Sequence, residues 1–278
     1  MTMPKRLQTA LYYITATGIS LVFILPLVWM ISASLRQTGQ PPPRGIEWIP
    51  NPIMWDNYRR IFEIIPLIRY ILNSLVVAGS AIPITLLTAS LAGFGMSQLG
   101  TPKRSLLLTI TVGLLIVPVT SLWLTRFLLF SWLGLIDNPL ALIAPALMGS
   151  SPLFILLFYW TFRRIPAEVY ESARLDGAGA FSTWWYVALP QSRPTAISVT
   201  ILTFMFYWND FINPLLYLKS EKFYTLAVGL QQLQQLDNTN WPILMAASAV
   251  MIIPTLILFT ILQPNFLSDE RLSGLIGH

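Results

Sequence analysis

The chain has 278 residues, of which 55% are hydrophobic and only 10% charged, and its mean hydropathy is +0.63. A soluble domain carries roughly 25% charged residues, so this composition cannot coat a globular surface of that size and implies an integral membrane protein. With no cysteine and one histidine, His278, the sequence excludes a disulfide framework, a Cys/His metal cluster, a thiol nucleophile and a Ser-His-Asp relay inside the fold. A metal site could be built only from carboxylates, with few candidates among twelve acids; none is assigned, and no catalytic site and no nucleic-acid partner are expected.

A helix needs about 20 apolar residues to cross the hydrocarbon. Five stretches lack Lys, Arg, Asp and Glu: Leu7 to Leu35, Tyr70 to Pro102, Ser105 to Thr125, Asn138 to Phe162 and Asn238 to Ser268; a sixth, Pro194 to Leu218, is broken only by Asp210. They predict an all-α polytopic membrane protein, a single domain over residues 1–278, with six spans at 10–34, 71–97, 105–125, 138–162, 195–217 and 242–266. The first run exceeds the usual 7 to 15 residues of a signal-peptide core, so a retained span is expected.

The link from Arg36 to Arg69, with Pro41-Pro42-Pro43, Trp48 and Trp55, reads as an extended segment followed by a short interfacial helix. Pro26, Pro83, Pro118, Pro145, Pro152 and Pro254 all lie within spans, where each removes a backbone donor and bends its helix. Bent helices favour internal space, and membrane helices are also simply richer in proline than soluble ones. With an inside N-terminus, nine of the seventeen basic residues fall inside and eight outside. The inside charges abut the helix ends, where the positive-inside bias is counted, so both termini are assigned to the cytoplasm.

The loop at 163–193 is too long for a hairpin and predicts two short helices. Pro166 suits the first turn, Glu168 follows at the positive end of the dipole, and Gly177 supplies a φ > 0 stop. In the second piece, Gly179 to Leu189, the residues Phe181, Trp184, Trp185 and Ala188 fall at i, i+3, i+4 and i+7, one face expected against the membrane surface or the spanning helices. The first piece presents Ala173 between Glu171 and Asp176. Its residues are consistent with docking into a groove on a soluble partner or with a solvated connector.

In the fifth span a charge would cost about 2.5–3.5 kcal/mol at the bilayer centre, and less at Asp210, which lies beyond the middle of the span. Trp208, Asn209 and Asp210 are candidates for a solute pathway, for a gate or partner contact, or for plain helix–helix hydrogen bonding. Lys219 to Asn240, with its four glutamines, and the tail follow. None of Lys5, Lys103, Lys219 and Lys222 sits in a G-x-x-x-x-G-K-[ST] phosphate loop, so the chain has no visible means of hydrolysing ATP, and energy must come from an ion gradient or a partner.

The run Ile165-Pro166 through Glu171-Ser172-Ala173-Arg174-Leu175-Asp176-Gly177-Ala178, Phe181, Val187 and Leu189-Pro190 resembles the EAA signature of the membrane subunits of bacterial ATP-binding-cassette importers, with Ser172 where an alanine is usual. Asn57-Tyr58, Asn73-Ser74-Leu75, Tyr207-Trp208-Asn209-Asp210-Phe211, Trp241-Pro242 and Met245-Ala246-Ala247-Ser248 resemble its carbohydrate-uptake, MalG-like branch. The resemblance implies an inner-membrane permease subunit of type I fold, not an enzyme. It pairs with a second homologous permease subunit, two copies of an ATPase and an extracytoplasmic solute-binding protein, and passes a sugar through the lipid bilayer. It further implies that Glu168, Glu171, Ser172, Ala173, Asp176, Gly177 and Ala178 couple to the ATPase. No cofactor is held by this chain, ATP and Mg belonging to the partner. The ending Leu272 to Gly277 resembles an ATPase-reaching tail, although Ser268-Asp269-Glu270-Arg271 departs from the usual basic pattern. Import of a polyol or glycerol phosphate, and an ion-coupled secondary transporter, are the alternatives; the second lacks the internal repeats and buried coupling charges it would need.

Overall fold

The computed structural model describes residues 5–39, 45, 47–236 and 240–264; the triple proline Pro41-Pro42-Pro43 and the tail from 265 onward lie outside them. No strand occurs among the described residues. The chain divides into two compact units, Met1–Leu67 with Gly229–Ile253 and Ile68–Val228 with Pro254–His278.

In the first unit, α1 (Lys5–Ser34) is a 30-residue helix containing Pro26. No residue of its most apolar window is buried by the chain; side chains such as Phe23 and Ile14 are exposed, as the surface of a helix in lipid must be. The expected short helix after it is α2 (Asp56–Ile64). Buried Asn57 on α2 donates through Nδ2 to the carbonyls of Ser34 (2.8 Å) and Arg36 (2.7 Å). Ser34 Oγ meets Tyr58 Oη at 2.7 Å, and Arg36 pairs with Glu47 at 2.9 Å. Asn57 thus supplies donors to carbonyls left over where α1 stops. Asn57→Ala is expected to destabilise this junction by about 2–4 kcal/mol, because two buried acceptors lose their donor; a fall in the thermal unfolding midpoint of the purified protein checks it.

The second unit begins in α3 (Leu67–Gln98), a 32-residue helix that runs on from the first unit through Pro83. Its opening turns are anchored to the segment 221–226: Asn73 Nδ2 donates to the carbonyls of Lys222 and Tyr224, and Ser74 Oγ accepts from the Leu226 amide at 2.8 Å. The pair Asn73-Ser74 therefore serves a chain crossing. α4 (Thr101–Ile116) stops early, because Val117 precedes Pro118 and is held extended (φ −68°, ψ 121°). A short 3₁₀ turn leads to α5 (Trp123–Trp132), which departs from α4 by 94°. The stretch expected as a third span, 105–125, is thus not one straight helix.

The fourth, expected at 138–162, is assembled from α6 (Leu140–Ile143), a 3₁₀ turn over Ala144–Met148, a left-handed Gly149 and Ser150 (φ 77° and 58°), and α7 (Pro152–Arg164), which Ser151 Oγ caps. Then come α8 (Ala167–Leu175) and α9 (Ala180–Thr183), a π turn over Trp184–Ala188, and α10 (Leu189–Gln191). The fifth expected span, 195–217, is α11 (Arg193–Trp208) and α12 (Ile212–Tyr217), separated at Asn209–Phe211. α13 (Leu226–Leu236) and α14 (Trp241–Leu262) complete the described helices. Among the described residues four helical stretches are long and apolar enough to cross a membrane, five if the bent α4–α5 pair counts as one span.

The core of the second unit is aromatic: Phe94 of α3, Phe154, Phe158 and Phe162 of α7, Tyr170 of α8 and Trp184, with Ala89, Ala188 and Val199 filling between them. Phe94 meets Phe162 edge-on at 5.8 Å, and Phe158 stacks on Phe162 at 5.8 Å, geometries that add about 0.5–1.5 kcal/mol per pair beyond burial. α3 and α7 approach closely because Ala89 and Gly93, four residues apart, present almost no side chain to the crossing, in the manner of small-residue helix contacts in membranes.

Candidate functional site

The loop after α7 is built by local rules. α7 ends on Arg163 and Arg164, cations that suit a helix C-terminus. Ile165 is extended ahead of Pro166 (ψ 127°), and Pro166 caps the nine-residue α8, whose first turn carries Glu168 and last turn Arg174. The stop is a complete Schellman motif. The Ala178 amide donates to the Ala173 carbonyl (2.9 Å), and the Gly177 amide to the Arg174 carbonyl (3.0 Å). Gly177 sits at φ +80° with nothing within 4 Å of where a Cβ would be, so only its backbone conformation selects glycine.

α8 has two faces. Tyr170 and Ala173, one turn apart, point into the chain's own core. Tyr170 Oη donates to the Phe162 carbonyl at 3.0 Å, and its ring lies 6.2 Å from that of Phe94. Burial pushes the Tyr170 hydroxyl up to about 12, with the Arg163 guanidinium opposing, so it remains a neutral donor at any physiological pH. Opposite lie exposed Glu168, Glu171, Ser172 and Asp176, with Leu175 89% exposed. Ala173, expected as the small residue offered outward, is 8% exposed and is instead the point at which α8 closes onto its own bundle. Ala178 is half-buried.

The second piece is likewise divided. Trp184 and Ala188 are buried, whereas Phe181 and Trp185 are 66% and 47% exposed. The four do not form one buried face, because the π turn over Trp184–Ala188 departs from the 3.6-residue period on which that face was drawn. Only the i, i+4 pair stays on the core.

The residues around the fifth span lie elsewhere in the second unit. Trp208 is buried and stacked on Phe204 (5.3 Å, 15°). Asn209 is exposed, its Nδ2 donating to the Met205 carbonyl. Asp210 lies in the break between α11 and α12: Oδ1 accepts from the Asn213 amide (3.2 Å) and Oδ2 from Asn213 Nδ2 (2.8 Å), in the first turn of α12. Arg126 of α5 is within electrostatic range of Asp210, Tyr207 and Tyr217. A chain of hydroxyls, Thr85, Ser150 and Tyr207, ties α3, the left-handed turn before α7, and α11. A second staple fastens the loop at 137 to that at 220. Asp137 accepts from Ser220 Oγ, the Ser220 amide (2.7 Å) and the Lys219 amide (2.9 Å), and those bonds, the Ser220 hydroxyl first, hold its carboxyl below the ordinary value.

Sequence reasoning missed Leu175 as an exposed apolar residue on the outward face, Tyr170 as the inward anchor, and Arg126. The first two were signalled by position, since Glu168, Glu171, Ser172 and Leu175 recur at helical spacing opposite Tyr170 and Ala173. Arg126 carried no such signal, because its neighbours come from other helices.

A family model described as binding-protein-dependent transport system inner membrane component matches residues 66–269. The chain is 28% identical over 267 residues to the sulfoquinovosyl glycerol transport system permease SmoH of Agrobacterium fabrum (96% of this chain, 94% of the relative). It is 27% identical to the trehalose/maltose permease MalG of Thermococcus litoralis (98% of each), and 25% identical to the lactose permease LacG of Rhizobium radiobacter (99% and 98%). In fold it is similar to a chain from the crystal structure of a bacterial ABC transporter that imports alginate, with TM-score 0.77 and 18% identity over 96% of this chain and 99% of that one. The chain belongs to the binding-protein-dependent transport system inner membrane components.

Proposed function

We propose that this permease subunit forms half of the translocation pathway of an ATP-driven carbohydrate importer, with α8 as its coupling helix. Six spans carry the pathway, in a single permease domain with both termini in the cytoplasm; α4–α5 and α11–α12 are each counted as one broken span. A second homologous permease, an ATPase dimer holding ATP and Mg, and an extracytoplasmic binding protein complete the assembly, and this chain binds no cofactor. The observation that carries the reading is the two-faced α8: an inward side locked into the aromatic core by Tyr170, an outward side bearing Glu168, Glu171, Ser172 and exposed Leu175, and a Schellman stop at Gly177.

A short helix locked at one side moves with the bundle as a rigid body. ATP-driven closure of the ATPase dimer displaces the outward face, and the core rings pass that displacement to α3 and α7, biasing the bundle between inward- and outward-facing states. Glu171, Ser172, Ala173, Asp176, Gly177 and Ala178 belong to this joint, with Ala173 acting from the inner side. Trp208, Asn209 and Asp210 border the pathway or its gate at the break between α11 and α12, a discontinuity of the kind that marks binding sites in transporters. A carbohydrate solute is supported by the relatives, whose names specify sulfoquinovosyl glycerol, arabino-oligosaccharides, lactose and trehalose/maltose, and by the alginate importer with its pentasaccharide-bound periplasmic protein.

The native chain contains no cysteine, so single cysteines report without a background. In the assembled complex Leu175→Cys and Ser172→Cys are expected to cross-link to the ATPase and Ala173→Cys to fail. Absence of cross-linking from both outward positions, with the complex intact, would remove α8 from the ATPase interface.

A further inference from the structure

Where α3, α7 and α8 meet, the second unit has an open cavity of about 450 Å³, a size ordinary for small-ligand sites. Its lining includes Arg163, Arg164 and Arg174 and one carboxylate, Glu171. The ion pairs among the described residues, Arg36–Glu47, Arg59–Glu63 and Arg60–Asp56, include none of these arginines. Arg174 reaches across to Gln98, its Nη2 donating to Oε1 at 3.2 Å. The cavity is also bounded by Ala167, at the start of α8, where the helix dipole is positive, and by Gln98 and Arg164, at the ends of α3 and α7, where it is negative. Three guanidiniums against one carboxylate leave the hollow with a surplus of positive charge and of bidentate donors, the geometry that binds phosphate oxygens.

Height decides the occupant. Gln98 and Arg164 are the last residues of two of the apolar helices long enough to span the bilayer, Leu67–Gln98 and Leu140–Arg164. A cavity lined by both ends lies where hydrocarbon gives way to headgroups. A smaller hollow of about 300 Å³ adjoins it, sharing Arg164 and adding the hydroxyls of Thr161 and Thr195, which are 2.6 Å apart, and the amide of Gln191.

We propose that the cavity between α3, α7 and α8 is a binding site for a phosphate group, supplied by the headgroup of an anionic phospholipid, which ties the loop at 163–175 to the end of α3. The assignment needs only that α3 and the stretch from α6 through α7, Leu140–Arg164, span the bilayer, not that α8 contacts an ATPase, so it stands or falls apart from the coupling role.

The test offers phosphatidylglycerol or phosphatidylcholine to the full chain purified in neutral detergent, with bound lipid counted by native mass spectrometry. Phosphatidylglycerol is expected to be retained over phosphatidylcholine, and its retention to fall about tenfold or more when Arg163→Gln, Arg164→Gln and Arg174→Gln are combined. Lysine at the same three positions restores retention to within about threefold, because the charge survives while the bidentate fork is lost. The exposed pair Arg59→Gln with Arg60→Gln leaves retention unchanged. Titration with inorganic phosphate separates the sources: failure of millimolar phosphate to displace the lipid supports the headgroup, and full displacement overturns the lipid assignment in favour of a free anion. Equal retention of the two lipids overturns the proposal, as does equal loss in the glutamine and lysine variants. So does a glutamine variant that keeps its lipid but sheds a co-purifying protein, which would assign the arginines to an acidic partner surface.

Discussion

Gly177→Pro is expected to abolish solute uptake while leaving insertion and assembly intact. Two changes fall on one residue. Proline fixes φ near −65°, against the observed +80°, and it removes the amide that donates to the Arg174 carbonyl. The Schellman stop then cannot form, and the direction in which the chain leaves α8 is lost. Gly177→Ala separates the contributions: the position is open to a Cβ, so only the left-handed backbone is penalised, by about 1–2 kcal/mol, and transport should be weakened without being lost. ATPase stimulation and uptake, measured in vesicles containing the whole complex, check the series; full uptake in the proline variant would mean that the stop has no part in coupling.

Gly93→Leu is expected to prevent recovery of folded protein. A Cβ at Gly93 would lie 2.8 Å from Phe158 Cβ, 2.8 Å from the Tyr159 nitrogen and 2.9 Å from the Ile155 carbonyl oxygen. Two of the three opposing atoms are main chain of α7 and cannot rotate away, so relief requires parting the helices and loosening the ring cluster of Phe94, Phe158 and Phe162. Gly93→Ala alone should cost about 1–3 kcal/mol by overpacking. Gly95, two residues along the same helix, faces open space, and Gly95→Ala should be neutral or stabilising by up to about 1 kcal/mol through helix propensity. Monodispersity in detergent and the thermal midpoint distinguish the three variants, and equal behaviour of Gly93→Ala and Gly95→Ala would disprove the tight crossing.

Charge-free length located the membrane-crossing mass, because burial in lipid tolerates few ionised groups and the rule acts residue by residue. Turn chemistry was equally direct at Pro166 and Gly177, where φ preferences are local. What sequence spacing left open is partnership. The break at Val117–Pro118 was signalled by the proline, but its 94° consequence depends on packing around it. Asp210 reads as a charge inside a continuous helix, whereas it lies in a break between two helices and accepts from Asn213, an interaction three residues away that a continuous-helix reading hides. Ala173 lay on a nine-residue helix with apolar residues on both sides, Val169 and Leu175 as well as Tyr170, and so short a pattern cannot tell the inner face from the outer. Arg163, Arg164 and Arg174 counted only as orientation signals until the fold put them around one cavity.

The first helix carries a consequence for biogenesis. A 30-residue helix is about 45 Å long, more than the roughly 30 Å of hydrocarbon, and within the chain its apolar window gains no cover from later segments. Its insertion free energy is therefore set by its own composition and is indifferent to whether the remainder has folded. Lesions in the uncovered apolar window of α1, short of its buried last turn at Ser32–Ser34, will register as altered targeting, topology or association with other membrane components, and leave the thermal unfolding of the rest of the subunit nearly unmoved.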